Sequence, residues 1–584
     1  MKKNFVKSRW FFTILLFVTT MIMPSMMLAE SITPTKPKGD GKAEPYQIST
    51  AAELYWFAGL VNGTLTGVKK NISANAKLMN NISVNEYVLD AKKDLISGKD
   101  FIPWTPIGNY WNAYTGTFDG QGHTIFGLYF YNPDASYVGL FGYIGANGKI
   151  SNVEVLDSYF QFDAQGGGVC GVNYGELQNC SNSSTVIGDR TAGGVCGITY
   201  RGSTVKDCQN RGSVRVTEDY VGGVCGYNSS GTSIINCFNE GTVEGKNYVG
   251  GVCGYNSSGT IKSCYNSANV YVSGAVNHVG SVCGFSNGTV TNCYYLSGTA
   301  KDGGWVTPGT EKSKEQFKSG EVAWLLNGKG LGEQVWGQLL GRDQYPVPGS
   351  DYKVIKAAQG DKDENGKEED TYWATFSNLK NDVTLYVPFD RTLNVYNATV
   401  SGGKMTLTQR SDDQVAKGEG VLLKTDGEYV NAKANKTNEL TAASSDENHL
   451  VATPAEAKTV TAETGYILYR LTYKNDTNKE GLGFYLGVDK ANNSYDGTSL
   501  KATPGKAYLK VSENEAKAPS SAALTRSFVF GGGNETTGID GITIMGTDVQ
   551  RHGTIEGIFD LQGRKISNPT KGIYIKNNKK VIIK

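Results

Sequence analysis

The sequence has no cysteine before Cys170 and none after Cys293. A lipid-carrying cysteine at a processed N-terminus is thereby excluded. Only four histidines occur, His123, His278, His449 and His552, far apart in the chain. No HExxH, P-loop, CxxC or calcium-binding nonapeptide is present, so the common zinc and nucleotide chemistries lack their residues. Charge of one sign is also missing: the formal net charge is +1, and no long-range field draws the chain to nucleic acid. Beyond Ala29 no run approaches the length of a membrane-spanning helix.

What is abundant is glycine, 74 of 584 residues, well above the usual ~7%. The 33 tyrosines are too many for a disordered chain. Both point to a turn-rich β protein. Residues 1–29 read as a signal peptide: Lys2, Lys3, Lys7 and Arg9 precede the apolar run Trp10 to Met23, and Ala29 suits cleavage. Residues 30–45, rich in Pro, Lys and Gly, read as a linker.

Between Tyr137 and Tyr295 one line recurs six times, most fully as GGVCGYN, a turn, an apolar residue and NC. The first key column is Phe141, Cys170, Cys196, Cys225, Cys253 and Cys283. The second is Val153, Cys180, Cys208, Cys237, Cys264 and Cys293. A fixed period of this size means stacked units, each too small to bury its own apolar side. Ile150, Leu177, Val205, Ile234, Ile261 and Val290 form a β-branched-rich column expected to point inward. Beside it run Asn152, Asn179, Asp207, Asn236, Ser263 and Asn292, expected to hydrogen-bond from coil to coil. The paired glycines are expected to turn the chain at φ > 0 and to let coils stack closely.

Two readings of the cysteines compete. One is a disulfide within each of five coils (Cys170 with Cys180, Cys196 with Cys208, Cys225 with Cys237, Cys253 with Cys264, Cys283 with Cys293), favoured by export and by the even count. The other is two ladders of buried thiols acting as small hydrophobes. Phe141 and Val153 replace both cysteines together in the first coil, which marks the two sites as apolar. No metal centre and no cofactor is expected, since only His278 lies among the cysteines.

The repeats are bracketed by helical signals. Ser49 or Thr50 caps a helix with Glu53 near its third position and Leu54, Phe57, Ala58 and Val61 on one face, and Asn62-Gly63 ends it. Residues 313–328 read as short helices whose Phe317, Val322, Trp324, Leu325 and Leu326 would sit on the last coil. The expected division is therefore a solenoid over 46–296 and a cap and linker over 297–350. A β-sandwich-like domain over 351–530 and a hinge with a small β module over 531–584 follow.

The repeat lines resemble the GLUG-motif repeats of exported bacterial proteins, and Gly139-Leu140-Phe141-Gly142 comes closest to that form. Phe118 to Ile125 resembles the entry coil of such proteins. The resemblance implies an all-β protein built on a right-handed parallel β-helix with short helical caps, in an extracellular or cell-surface setting. The C-terminus, Ile558 to Ile566 and Gly572 to Ile575, resembles the sorting domain of the type IX secretion system of Bacteroidota. That implies the secretion machinery as a partner through the tail.

For chemistry, Asp119 and His123 are the one suggestive pair. They sit in a Gly-rich turn, where Asp stabilises the turn through its own backbone. Asp157, Asp163, Asp189 and Asp219 read as solvated loop residues. Asp361 to Gly366 starts like a calcium loop, but Tyr372 stands where the twelfth-position Glu belongs. For binding, Tyr143, Tyr200, Tyr227 and Tyr255, next to Asn228 and Asn256, form an outward ladder suited to an extracellular glycan or a host or matrix protein. The expected function is adhesion or binding by a secreted or cell-surface protein without enzymatic activity. A β-helix polysaccharide lyase or hydrolase and a plain spacer for residues 351–530 are the alternatives.

Overall fold

The repeated line folds as one coil of a parallel β-solenoid of about nine coils, followed by antiparallel sheets. A computed structural model describes residues 32–300, 308–330, 334–360, 370–475, 480–487 and 496–517. It adds strands at Ser527–Val529, Ile542–Met545, Ile558–Phe559, Lys565–Ile566, Gly572–Lys576 and Lys579–Ile583. The expected signal peptide, the Asp361–Gly366 segment and the expected hinge at residues 531–538 lie outside the described residues.

Strand stacking starts before the repeats. Tyr46–Ile48 pairs in parallel with Ala76–Leu78, which pairs with the strand Thr117–Phe126. Within the repeats the first key column is in register from Phe141 to Cys283. The apolar column is in register from Ile150 to Val290, and every member but Val290 is fully buried. The neighbouring column, Asn152, Asn179, Asp207, Asn236, Ser263 and Asn292, adopts left-handed backbone at φ 52–55°. Asn and Asp tolerate that conformation better than other non-glycine residues, so the column's composition has a backbone cause.

Of the two causes expected for the paired glycines, close stacking holds and positive φ does not. None of Gly167, Gly168, Gly193, Gly194, Gly222, Gly223, Gly250 or Gly251 has positive φ. Space requires them. A Cβ on Gly168, Gly194, Gly223 or Gly251 would lie 2.0–2.3 Å from the side chain of Asn182, Asn210, Asn239 or Asn266 respectively. These four asparagines are wholly buried and form a ladder: each Nδ2 donates to the next Oδ1 at 2.8 Å. Each Oδ1 also accepts from a backbone N–H two residues on. Ser281 takes the second glycine's place in the one coil where Tyr295 takes the asparagine's.

A helix (α1, Ala51–Asn62) closes the N-terminal end. Thr50 Oγ1 accepts from Glu53 N at 3.3 Å, and the Glu53 carboxylate accepts from Ser49 N at 2.7 Å and Thr50 N at 3.2 Å. Leu54, Phe57 and Val61 enter the solenoid core, and Gly63 at φ 73° ends the helix. Two short helices, α2 (Lys314–Lys318) and α3 (Glu321–Leu326), follow the last coil. Expected on its end, they pack on its flank: Phe317, Val322, Leu325 and Leu326 cluster with Phe238, Tyr265, Tyr294 and Trp336. The residue after the second-column cysteine is Ser181 and Gln209 in earlier coils but Phe238, Tyr265 and Tyr294 in the last three. That apolar stripe needs a cover.

The region after Asp351 has three antiparallel layers rather than two. Its central sheet contains Tyr372–Ser377, Leu393–Ser401, Lys404–Gln409 and Gly420–Thr425. Alternating residues serve opposite cores: Ala374, Phe376, Val421 and Leu423 face one, Trp373 and Leu422 the other. Ile542–Met545 joins this sheet alongside Lys404–Gln409, so the tail's first strand belongs to the domain before it. The remaining tail strands, from Ile558 to Ile583, form a separate four-stranded sheet.

Candidate functional site

A rail of aromatic rings runs along the face that carries the first cysteine column. Tyr143, Tyr227, Tyr255 and Phe285 share a register position, which Val172 and Ile198 occupy in the two coils between. Tyr174 and Tyr200, two residues further along, fill that gap. The rings then run continuously: Tyr143–Tyr174 5.5 Å, Tyr174–Tyr200 5.2 Å, Tyr200–Tyr227 6.5 Å, Tyr227–Tyr255 5.3 Å and Tyr255–Phe285 5.5 Å. A second row, Tyr220, Tyr248 and His278, lies beside the last coils. Tyr174 is missing from the expected ladder; like Tyr200 it sits two residues off the shared register position and joins the rail through ring contacts.

The rail's rings are half-buried. Stacking hides their faces against one another, and Tyr255 Oη accepts from Asn287 Nδ2 at 3.5 Å. Burial raises the pKa of Tyr143, Tyr200 and Tyr220 above the ordinary phenol value, so these hydroxyls stay protonated at physiological pH. At its N-terminal end Tyr110 stacks on Tyr137 at 6.2 Å and meets Trp111 edge-on at 5.0 Å. Trp111 is 85% exposed and Tyr110 55%. Their turn is held from within: Asn109 Oδ1 accepts from Trp111 N and Asn112 N, each at 3.0 Å. It is tied to α1 by Gly108 N donating to Asn62 Oδ1 at 2.9 Å and Asn112 Nδ2 donating to Asn62 O at 3.1 Å. The sequence signal was an aromatic pair between two asparagines.

Asn228 and Asn256 do not belong to this surface. Both are fully buried, in a third ladder that runs from Thr199 Oγ1 to Asn228 at 2.8 Å, to Asn256 at 2.9 Å and to Ser286 Oγ at 2.9 Å. Their position next to the tyrosines alternates inward, as strand geometry requires.

All ten cysteines are buried and free, so the within-coil disulfides are not formed. In the second column the backbone N–H of one coil donates to the sulfur of the next: Cys180 N to Cys208 Sγ, Cys208 N to Cys237 Sγ and Cys237 N to Cys264 Sγ, each at 3.4 Å. In the first column the thiols donate to the carbonyl two residues on, as Cys170 to Val172 O at 3.1 Å and Cys283 to Phe285 O at 3.1 Å. In the second they donate two residues back, as Cys208 to Lys206 O at 3.2 Å and Cys293 to Thr291 O at 3.2 Å. Burial pushes the Cys196, Cys237 and Cys253 thiols well up; at Cys208, Cys225 and Cys264 burial is outweighed by hydrogen bonds from neighbouring thiols and backbone, which hold them well down. Buried throughout, the ten cysteines serve as packing groups.

Asp119 is the first rung of the outer Asn ladder. Its Oδ1 accepts from Asn152 Nδ2 at 2.9 Å and from Gln121 N at 2.9 Å; Asn179 Nδ2 continues to Asn152 Oδ1 at 2.7 Å. His123 Nδ1 lies 3.3 Å from Asn81 Oδ1. Asp157 is not a solvated loop residue: it accepts from Val88 N at 3.2 Å and Leu89 N at 3.0 Å and pins the long loop before the repeats. Asp163 and Asp189 are neighbours on consecutive coils, and Arg190 pairs with Asp163. Among the described residues no group of three His, Cys, Asp or Glu is placed to hold a metal ion.

Residues 218–244 and 245–271 match the model of the GLUG motif. These are GGVCGYN coils, not the Gly-Leu-Phe-Gly coil that looks most like the motif's name. The chain is 37% identical over 81 residues to the "Putative Gly-rich membrane protein" of Evansella cellulosilytica, a match covering 13% of this chain and 9% of that protein. It is 29% identical over 160 residues to "Halomucin" of Haloquadratum walsbyi, covering 26% of this chain and 2% of that protein. Both matches therefore span a small part of those relatives. Among solved structures, a "putative immunoglobulin A1 protease from Bacteroides ovatus" matches 53% of this chain and 93% of its own, at 23% identity and a TM-score of 0.40. An "IgA1 Protease" matches 45% of this chain and 21% of its own, at 13% identity and a TM-score of 0.29.

Proposed function

We propose that this is a secreted or outer-surface binding protein whose contact surface is the aromatic rail and the Tyr110–Trp111 turn at its end. The observation that carries the reading is Trp111, an exposed indole held by internal hydrogen bonds and continuous with stacked rings. Stacked rings present a row of hydroxyl edges at coil spacing, and the end pair presents a free ring. That arrangement suits an extended partner such as an extracellular glycan strand or a host or matrix protein. The relative named as a Gly-rich membrane protein supports a surface setting. The tail after Gly538 acts as an address for type IX secretion, on its resemblance alone.

An enzymatic role on the solenoid would need Asp119 free for acid–base work, and its carboxylate is engaged in a turn and a ladder. The test is an array of glycans and matrix proteins probed with the chain lacking residues 1–29. Trp111→Ala and Tyr227→Ala are expected to lower binding at least several-fold with the unfolding midpoint unchanged for Trp111→Ala. Depolymerisation of any bound glycan, lost in Asp119→Asn, would overturn the reading.

A further inference from the structure

A cavity of about 400 Å³ opens between the central and outer sheets of the region after Asp351. This lies in the lower range of small-molecule sites. Lys356, Arg470, Lys501 and Lys506 line it, from four separate segments, and no Asp or Glu does so among the described residues. Lys356 contributes only its stem, because its ammonium pairs with Glu428 at 2.6 Å and lies over the Trp324 and Tyr429 rings. Three cations remain. Arg470 and Lys501 are exposed at the rim, and Lys506 sits deeper.

Lys506 is held in place by its own backbone. Its N–H donates to Thr453 Oγ1 at 3.2 Å, and its carbonyl accepts from Thr453 Oγ1 at 2.9 Å and from Ser377 Oγ. Its ammonium has a carbonyl neighbour, Lys356 O at 3.3 Å. Burial alone lowers its pKa to about 8, with no carboxylate acting on it. A cation in this position gains when an anion enters, since desolvated charge is costly until it is paired. The rest of the wall mixes rings and hydroxyls (Trp373, Tyr508, Thr375, Thr503) with aliphatic side chains such as Leu471 and Leu500.

We infer that this cavity binds a small organic oxyanion carried on a polyhydroxylated ring, the size of one acidic sugar unit, with Lys506 and Arg470 pairing with its carboxylate or sulfate. Lys506 makes the charge contact inside, Arg470 and Lys501 draw the anion to the mouth, and the aromatic and hydroxyl wall receives the ring. This site is separate from the rail, and either stands or falls without the other.

The groups facing Lys506 are Arg470 and Tyr473 on one strand, Lys501 on another and Tyr508 on its own. None of them becomes anionic near pH 8. Affinity is therefore expected to fall roughly tenfold between about pH 7 and 9 as Lys506 loses its proton. Calorimetric titration with D-glucuronate, glucose 6-sulfate, glucose and inorganic sulfate tests the site. Expected are binding of the first two, at least tenfold weaker binding in Lys506→Met, several-fold weaker binding in Arg470→Gln, and no detectable binding of glucose. Arg470→Gln keeps the test valid if Lys506→Met unfolds. Equal binding of glucose, or of inorganic sulfate as tight as either sugar acid, overturns the proposal, as does an affinity unchanged in Arg470→Gln and across this pH range. Rail variants are expected to leave this titration unchanged.

Discussion

The solenoid and the region after Asp351 are both β structure, and they satisfy their buried polar groups in opposite ways. In the solenoid the buried asparagines Asn182, Asn210, Asn239 and Asn266 are joined counterpart to counterpart by three coil-to-coil bonds, one solution repeated. After Asp351 each solution is used once. Glu419, 4% exposed, pairs with Arg410 at 2.7 Å and accepts from Ala416 N and Ala443 N at 3.1 Å. The Asp382 carboxylate accepts from Lys417 N at 2.7 Å and Leu440 N at 2.8 Å. A repeated solution ties one column to another: the glycine column exists because the asparagine column does. A single solution ties only its own neighbours.

The largest difference is expected at glycine. Gly223→Ala drives a Cβ to 2.2 Å from both Asn239 and Gly251 O, and should cost about 3 kcal/mol or more, since neither ladder nor strand can give way. Gly418→Ala, in the second region, has open space and only its φ of 80° against it, and should cost about 1 kcal/mol. Urea unfolding midpoints of the two variants make the comparison; equal losses would break it.

Next come the rungs. Asn239→Ala strands the Gly241 N–H and the amides of Asn210 and Asn266, an expected loss of about 2–3 kcal/mol. Asn179→Ala removes one exposed bond, to Asn152, and a left-handed preference, for about 1 kcal/mol. Hydrogen exchange should show faster opening in the coils flanking Asn239 and little change around Asn179.

The pH response should differ between the regions. Lys506 binds its proton more weakly folded, at about 8, than unfolded, at 10.5. Its contribution to stability is absent below pH 8, grows as pH rises between these values and is complete above the higher one. The midpoint of the region after Asp351 should therefore rise from about pH 8 to 9.5, before tyrosines ionise, and Lys506→Met should abolish the rise. The solenoid has no cation of this kind among its described residues with a resolved shift. The smallest effect is expected for Cys237→Val, under about 1 kcal/mol by urea unfolding, as a near volume-conserving core change; Val153 already stands in that column.

Legibility followed the same division. The coil period, the inward column from Ile150 to Val290 and the capping box at Thr50 could be read because each repeats or obeys a local rule. The buried asparagines are equally visible, two residues after each second-column cysteine except at Tyr295; of the two roles the sequence suggests for their partner glycines, close stacking holds and a turn at φ > 0 does not. Asn228 and Asn256 were placed outward with the tyrosines beside them, although alternate residues of a strand face opposite ways. The cover over Phe238, Tyr265 and Tyr294 was foreshadowed by the change from Ser181 and Gln209. Nothing local signals the Lys506 cavity or the third layer, which arise from pairings between distant strands such as Leu450–Ala452 with Ala507–Ser512.

The central claim is that like side chains hold coil to coil and no covalent bond holds a coil to itself. Titration of accessible thiols in the denatured, unreduced mature protein tests it most directly. Ten free thiols are expected, one for every cysteine. Recovery of none, with a proteolytic peptide linking Cys225 to Cys237, would contradict it.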